Sequence, residues 1–207
     1  NAFDPGLRRA TIDTLLDIAS QCDGVRCDMA MLMLTEIFAG TWHGYVEKAP
    51  AKDYWREMIQ VGKSYYPDFV FAAEAYWGKE YDLLMQGFDY TYDKVLYDRI
   101  LEGDVQKLRQ HLLADKSYQH HMMRFIENHD ERLAYDALGP KRSFPAATLI
   151  CTLPGAVLLH DGQLTGRRVK LPVQIKRQPD EVEHRDLEGY YMKLLKEIRS
   201  PIYQNGD

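Results

Sequence analysis

Apolar positions along this chain follow two alternating rhythms. In the first, Ile12, Leu15, Leu16 and Ala19 fall at helical spacing behind Asp4-Pro5, an N-cap followed by a proline suited to the first helical position. In the second, a short apolar run closes on an acid. Gln21 to Ala30 reads as such a strand, with Asp28 near its end, and Asp68 to Glu74 reads as another. The stretch Met29 to Phe38 is apolar but has neither period. Gly40 to Ala51 reads as a loop, Asp53 to Tyr65 as a helix, Tyr76-Trp77-Gly78 as a turn and Lys79 to Met85 as a short helix.

The alternation continues downstream. Gly87 to Tyr92 alternates like a strand, and Gly103-Asp104 starts a helix with Val105, Leu108 and Leu112 on one side. His120 to Asp130 contains a strand, Pro140 to Thr152 a helix, and Pro154 to His160 the last strand. Residues Gly162 to Glu183 are basic and loop-like. Leu187, Tyr190, Tyr191, Leu194, Leu195 and Ile198 then keep helical spacing up to Pro201, which is expected to end that helix. Five short strands separated by helices or loops predict an α/β protein with a parallel sheet covered by helices.

Composition narrows the function without naming it. A net charge of -5 argues against a nucleic-acid binder, which needs a basic surface. Apolar runs fall short of the ~20 residues that span a bilayer, and no signal peptide is visible. No glycine-rich turn follows any strand, which removes the usual nucleotide cradle. Cys22, Cys27 and Cys151 are odd in number and lack metal spacing, so they read as reduced, mostly buried thiols of a cytoplasmic protein. His120 and His121, read on a strand, point to opposite faces and make a poor metal site. No cofactor and no metal are expected.

The chemistry lies in the acids. An acid at a strand exit sits where α/β proteins place their active sites. Asp28, Glu74 and Asp130 all stand there. Strand alternation puts Arg26 and Asp28 on one face, with Val25 and Cys27 on the other; likewise Ala72 and Glu74 oppose Phe71 and Ala73. A nearby cation favours an ionised Asp28, and a second acid in a drier setting can donate a proton. Two carboxyls with those roles are what glycoside hydrolysis uses.

Asp23-Gly24-Val25-Arg26-Cys27-Asp28 resembles the second signature region of the α-amylase family of glycoside hydrolases. Ala72-Ala73-Glu74-Ala75 is similar to the third region, and Phe125 to Asp130, with its Asn128-His129-Asp130 triplet, to the fourth. Pro154-Gly155 and Asp161-Gly162 resemble the eighth-strand segment, and Phe88 to Asp93 stands where the sixth strand would fall. The resemblance implies a partial (β/α)8 TIM barrel, roughly strands 4 to 8, with the N-terminal barrel strands and a C-terminal β-domain absent from residues 1–207. It implies that Asp28 is the nucleophile, Glu74 the acid/base and Asp130 the transition-state stabiliser, with Arg26, His129 and Asn128 contacting or orienting the sugar. Retention requires the Asp28 and Glu74 carboxyls to lie roughly 5–5.5 Å apart.

The resemblance also implies an oligosaccharide or α-glucan substrate and a hydrolase or glucanotransferase. Leu32 departs from the His or Lys that the family often carries four residues after the nucleophile, which leaves recognition on the leaving-group side open. Part of a barrel exposes sheet edges, so self-association or pairing with an N-terminal part is expected, with little activity from this segment alone. The alternative is a non-catalytic, amylase-like carbohydrate-binding or interaction module. Survival of all three acids favours the enzyme.

Overall fold

The computed structural model describes residues 1–46, 49–175 and 177–205. The chain folds as two compact units, Asn1–Tyr92 and Asp93–Asp207.

In the first unit α1 (Pro5–Ala19) starts as predicted: the Asp4 side chain accepts a hydrogen bond from the Leu7 amide at 2.8 Å. Strand β1 (Gly24–Cys27) is shorter than predicted because Met29 adopts a left-handed backbone (φ 42, ψ 46) that ends the extended run. The irregular stretch behind it resolves into a 3-10 turn at Ala30–Met33 and helix α2 (Thr35–Thr41). Helix α3 (Tyr54–Tyr65), strand β2 (Val70–Ala73), helix α4 (Glu80–Gln86) and strand β3 (Tyr90–Tyr92) follow. β3 starts later than expected because the Asp89 carboxylate turns back to accept from the Phe71 amide at 2.8 Å and to pair with Lys63.

β1 and β2 run parallel, with Gly24 opposite Val70 and Cys27 opposite Ala73; β2 and β3 are also parallel, with Ala72 opposite Tyr90. Val25, Cys27, Phe71 and Ala73 face a core shared with Ile59, Leu83 and Phe88, as the period of two requires. Phe71 is fully buried, and burial of such a ring contributes about 1.5–3 kcal/mol.

The second unit opens with a helix absent from the sequence reading, α5 (Lys94–Glu102), capped by the Asp93 side chain, which accepts from the Leu96 amide at 3.0 Å. Helices α6 (Val105–Leu112) and α7 (Lys116–His120) lead into β4 (Met122–Arg124). His120 therefore closes a helix and His121 follows it, so the expected pair of strand histidines is corrected. The Asp115 side chain caps α7 through the Ser117 amide at 2.8 Å.

Helix α8 (Ala134–Thr152) breaks at Gly139 (φ 68, ψ 172), where Pro140 restarts it, so the predicted Pro140 to Thr152 helix is its second part. β5 is only Ala156–Val157, parallel to β4 with Met123 opposite Ala156. At Gly155 (φ 106) a Cβ would stand 2.2 Å from the Met122 carbonyl oxygen, so only glycine fits that approach. Residues 162–183 form no helix or strand among the described residues. Helix α9 (Arg185–Glu197) buries Leu187 and Tyr191. Pro201 opens a further short helix, α10 (Pro201–Asn205), instead of merely ending the previous one, because its fixed φ suits a first helical turn.

Beneath β4 lies a buried charge network. Arg124, fully buried, pairs with Asp93 and with the Gln119 side chain; His111 Nε2 stands 2.9 Å from the other Asp93 oxygen. Burial pushes the Arg124 guanidinium below its ordinary range, with Asp93 opposing that fall. Among the described residues no helix is long and apolar enough to cross a membrane, and no three His, Cys, Asp or Glu side chains group to hold a metal ion.

Candidate active site

The parallel register of β1 on β2 brings the first two acids together. One step beyond the last register pair, the Glu74 amide donates to the Cys27 carbonyl at 3.0 Å and the Ala30 amide to the Glu74 carbonyl at 3.1 Å. Asp28 and Glu74 thus leave adjacent strands at the same level. Arg26 joins them: Nη1 stands 2.6 Å from Asp28 Oδ1 and Nη2 2.8 Å from Glu74 Oε1.

The two acids differ in setting. The Asp28 side chain is 74% exposed and that of Glu74 only 3%. Glu74 Oε2 accepts from the Met29 amide at 2.6 Å, and the Tyr76 hydroxyl approaches Oε1 at 3.4 Å. The left-handed Met29 is what aims that amide at Glu74, a backbone cost on the order of 1 kcal/mol that the carboxylate offsets. Burial works against the Arg26 charge, but Glu74, Tyr92 and Asp28 outweigh it and hold the guanidinium above its ordinary range. Its Cζ lies 5.7 Å from the Tyr92 ring centre. Burial pushes the neighbouring Cys27 thiol up to about 12, which makes it an inert core group. All three cysteines are free; Cys151 is buried like Cys27, whereas Cys22 is exposed.

The second unit carries the Asn128-His129-Asp130 turn. Asn128 is buried, and its Oδ1 accepts from the amides of Asp130 and Glu131, each at 2.8 Å. This braces the turn from beneath. His129 Nε2 stands 3.0 Å from Asp130 Oδ2, and both side chains are about half exposed. Lys170, from the 162–183 loop, donates to the Asp130 carbonyl.

Glu127 was not singled out by the sequence reading. It is buried, with Oε1 2.9 Å from His160 Nδ1 and Oε2 accepting from the Ala134 amide at 2.7 Å. Burial raises its pKa, and His160 and the amide oppose the rise. Its position before Asn128 was visible in sequence; its partner thirty-three residues away was not.

No family model matches the chain. It is 27% identical, over 170 residues, to the α-amylase MalA of Haloarcula japonica, an alignment covering 78% of this chain and 23% of that protein. The chain is a relative of the α-amylase family of glycoside hydrolases. The fold of this amylase relative agrees. It superposes on the Nostoc punctiforme debranching enzyme with a TM-score of 0.77 at 19% identity, over 100% of this chain and 47% of that one. For an α-amylase from Lactobacillus plantarum the TM-score is 0.70 at 24% identity, over 98% and 50%. For the cyclic α-maltosyl-(1→6)-maltose hydrolase of Arthrobacter globiformis it is 0.77 at 20%, over 100% and 47%. The chain thus spans under a quarter of the curated relative and about half the length of these structures, with an α/β fold of five strands.

Proposed function

We propose that the chain carries the acid pair of a retaining, α-glucoside-active glycoside hydrolase or glucanotransferase. The observation that carries this reading is one guanidinium, Arg26, in ion contact with an exposed Asp28 and a buried Glu74. On this reading residues 1–207 supply strands four to eight of a (β/α)8 catalytic barrel.

Asp28 is open to substrate and, with Arg26 stabilising its negative charge, attacks the anomeric carbon. As that bond forms, the bond to the leaving oxygen breaks and Glu74 supplies the proton that oxygen needs. Glu74 then takes a proton from water or from a sugar hydroxyl, whose oxygen displaces Asp28 and restores the configuration. His129 and Asp130 hold sugar hydroxyls in the distorted ring, while Asn128 shapes their turn. Whether water or sugar is the acceptor sets hydrolysis against transfer. α-Glucans are the proposed substrates, by analogy with relatives described as an α-amylase and as a cyclic maltosyl-maltose hydrolase.

A fluorinated glucosyl fluoride that traps glycosyl-enzymes tests the assignment. Mass spectrometry should locate the trapped sugar on the peptide containing Asp28, with no label in Asp28→Asn. Turnover of malto-oligosaccharides, where measurable, should fall in that variant by on the order of 10^4-fold. A label on a residue other than Asp28 would overturn the reading.

A further inference from the structure

His160, three residues beyond β5, lines a recess of about 190 Å3 together with His129, Asp161, Arg167 and Lys170. Its Nδ1 is engaged by Glu127 at 2.9 Å, so an ionised Glu127 fixes the ring proton on Nδ1. Nε2 is then the ring nitrogen left over, and no described residue hydrogen-bonds to it. The side chain is 28% exposed, enough for a ligand to reach. The backbone is anchored as well: the His160 amide donates to Gln163 Oε1 at 3.2 Å, and Gln163 Nε2 donates to the Tyr191 hydroxyl at 2.8 Å. Burying Glu127 is costly unless both oxygens are satisfied, and both are, one of them by the ring it orients.

We propose that His160, oriented by the positioning residue Glu127, is a further saccharide-contacting residue that binds a sugar hydroxyl through Nε2. This rests on the saccharide reading above. A neutral imidazole accepts at Nε2 and an imidazolium donates there, and a hydroxyl can answer either. The other polar groups of the recess favour a neutral polyol over an anion. Arg167 is engaged by Gln178 and lies 3.6 Å from Asp161, and Lys170 is spent on the Asp130 carbonyl.

The test is a titration of the 207-residue chain with maltotriose, followed through the imidazole nitrogens by NMR. The His160 Nε2 signal should move on binding. His160→Ala should weaken binding roughly three- to tenfold, the worth of one hydrogen bond. Glu127→Ala should match that loss, whereas Glu127→Gln, which can still accept from Nδ1, should recover most of it. A stationary His160 signal, no binding, or an unweakened His160→Ala variant would overturn the proposal. The titration needs no turnover. A moving His160 signal in a chain that the trapping reagent labels at a residue other than Asp28 would keep this contact and reject the catalytic reading.

Discussion

Arg26 settles the character of both neighbouring acids. Its pairing with Asp28 was legible, since two residues of a strand separated by one share a face. Its contact with Glu74 was not, because that depends on which strand lies alongside and in what register. Replacing Arg26 by Met should leave Glu74 buried with only the Met29 amide and the distant Tyr76 hydroxyl. Since Arg26 is itself partly exposed, a loss of roughly 2–3 kcal/mol is expected in urea unfolding. Lys should recover only part of it, because one ammonium does not reproduce the two-armed fork.

Asp53 offers a pH test at the same scale. Hydrogen bonds from Thr35 Oγ1 at 2.5 Å and Gln86 Nε2 at 3.0 Å hold its carboxyl below the ordinary 3.8. A depressed folded pKa stabilises the fold above the unfolded value, and that contribution is lost as pH falls through the folded one. Acid unfolding of Thr35→Ala should therefore show a smaller stability loss below about pH 4 than the parent chain.

Among elements, β4 depends most on buried polarity. Arg124 lies on a strand that the sequence reading placed correctly within a longer segment, yet nothing local announced that it is fully buried. Its partners Asp93 and Gln119 come from the cap of α5 and from helix α7, and His111 at the end of α6 meets Asp93 in turn. Helix α5 has no clear start in the sequence, because Asp93 reads equally well as the end of a strand and as a cap. Arg124→Met should cost about 3–5 kcal/mol, by stranding Asp93 in the interior. Restoring much of that loss in a double variant, Arg124→Met with Asp93→Asn, would show that the stranded charge is the cause. Thermal and urea unfolding of the single and double variants measure both effects.

For the whole molecule, β1 pairs with β2 alone and β5 with β4 alone among the described residues. Open edges of this kind recruit further strands. Light scattering should therefore find a mass above the 24.1 kDa of one chain, rising with concentration. A monodisperse single chain would count against such pairing.

The five strands alternating with helices, the acids that directly follow β1 and β2, and the opposite faces of Arg26 and Cys27 were determined by the sequence itself, whereas Asp130, expected at a strand exit, lies six residues beyond the end of β4 at Arg124. Backbone geometry makes those patterns local, so they are legible without a partner. The tertiary structure decided the rest: that Glu74 is buried while Asp28 is open, that Met29 turns left-handed to serve Glu74, and that Glu127 holds His160. These contacts join residues forty-five and thirty-three positions apart. Burial and hydrogen bonding depend on what the fold brings alongside, which no local period encodes.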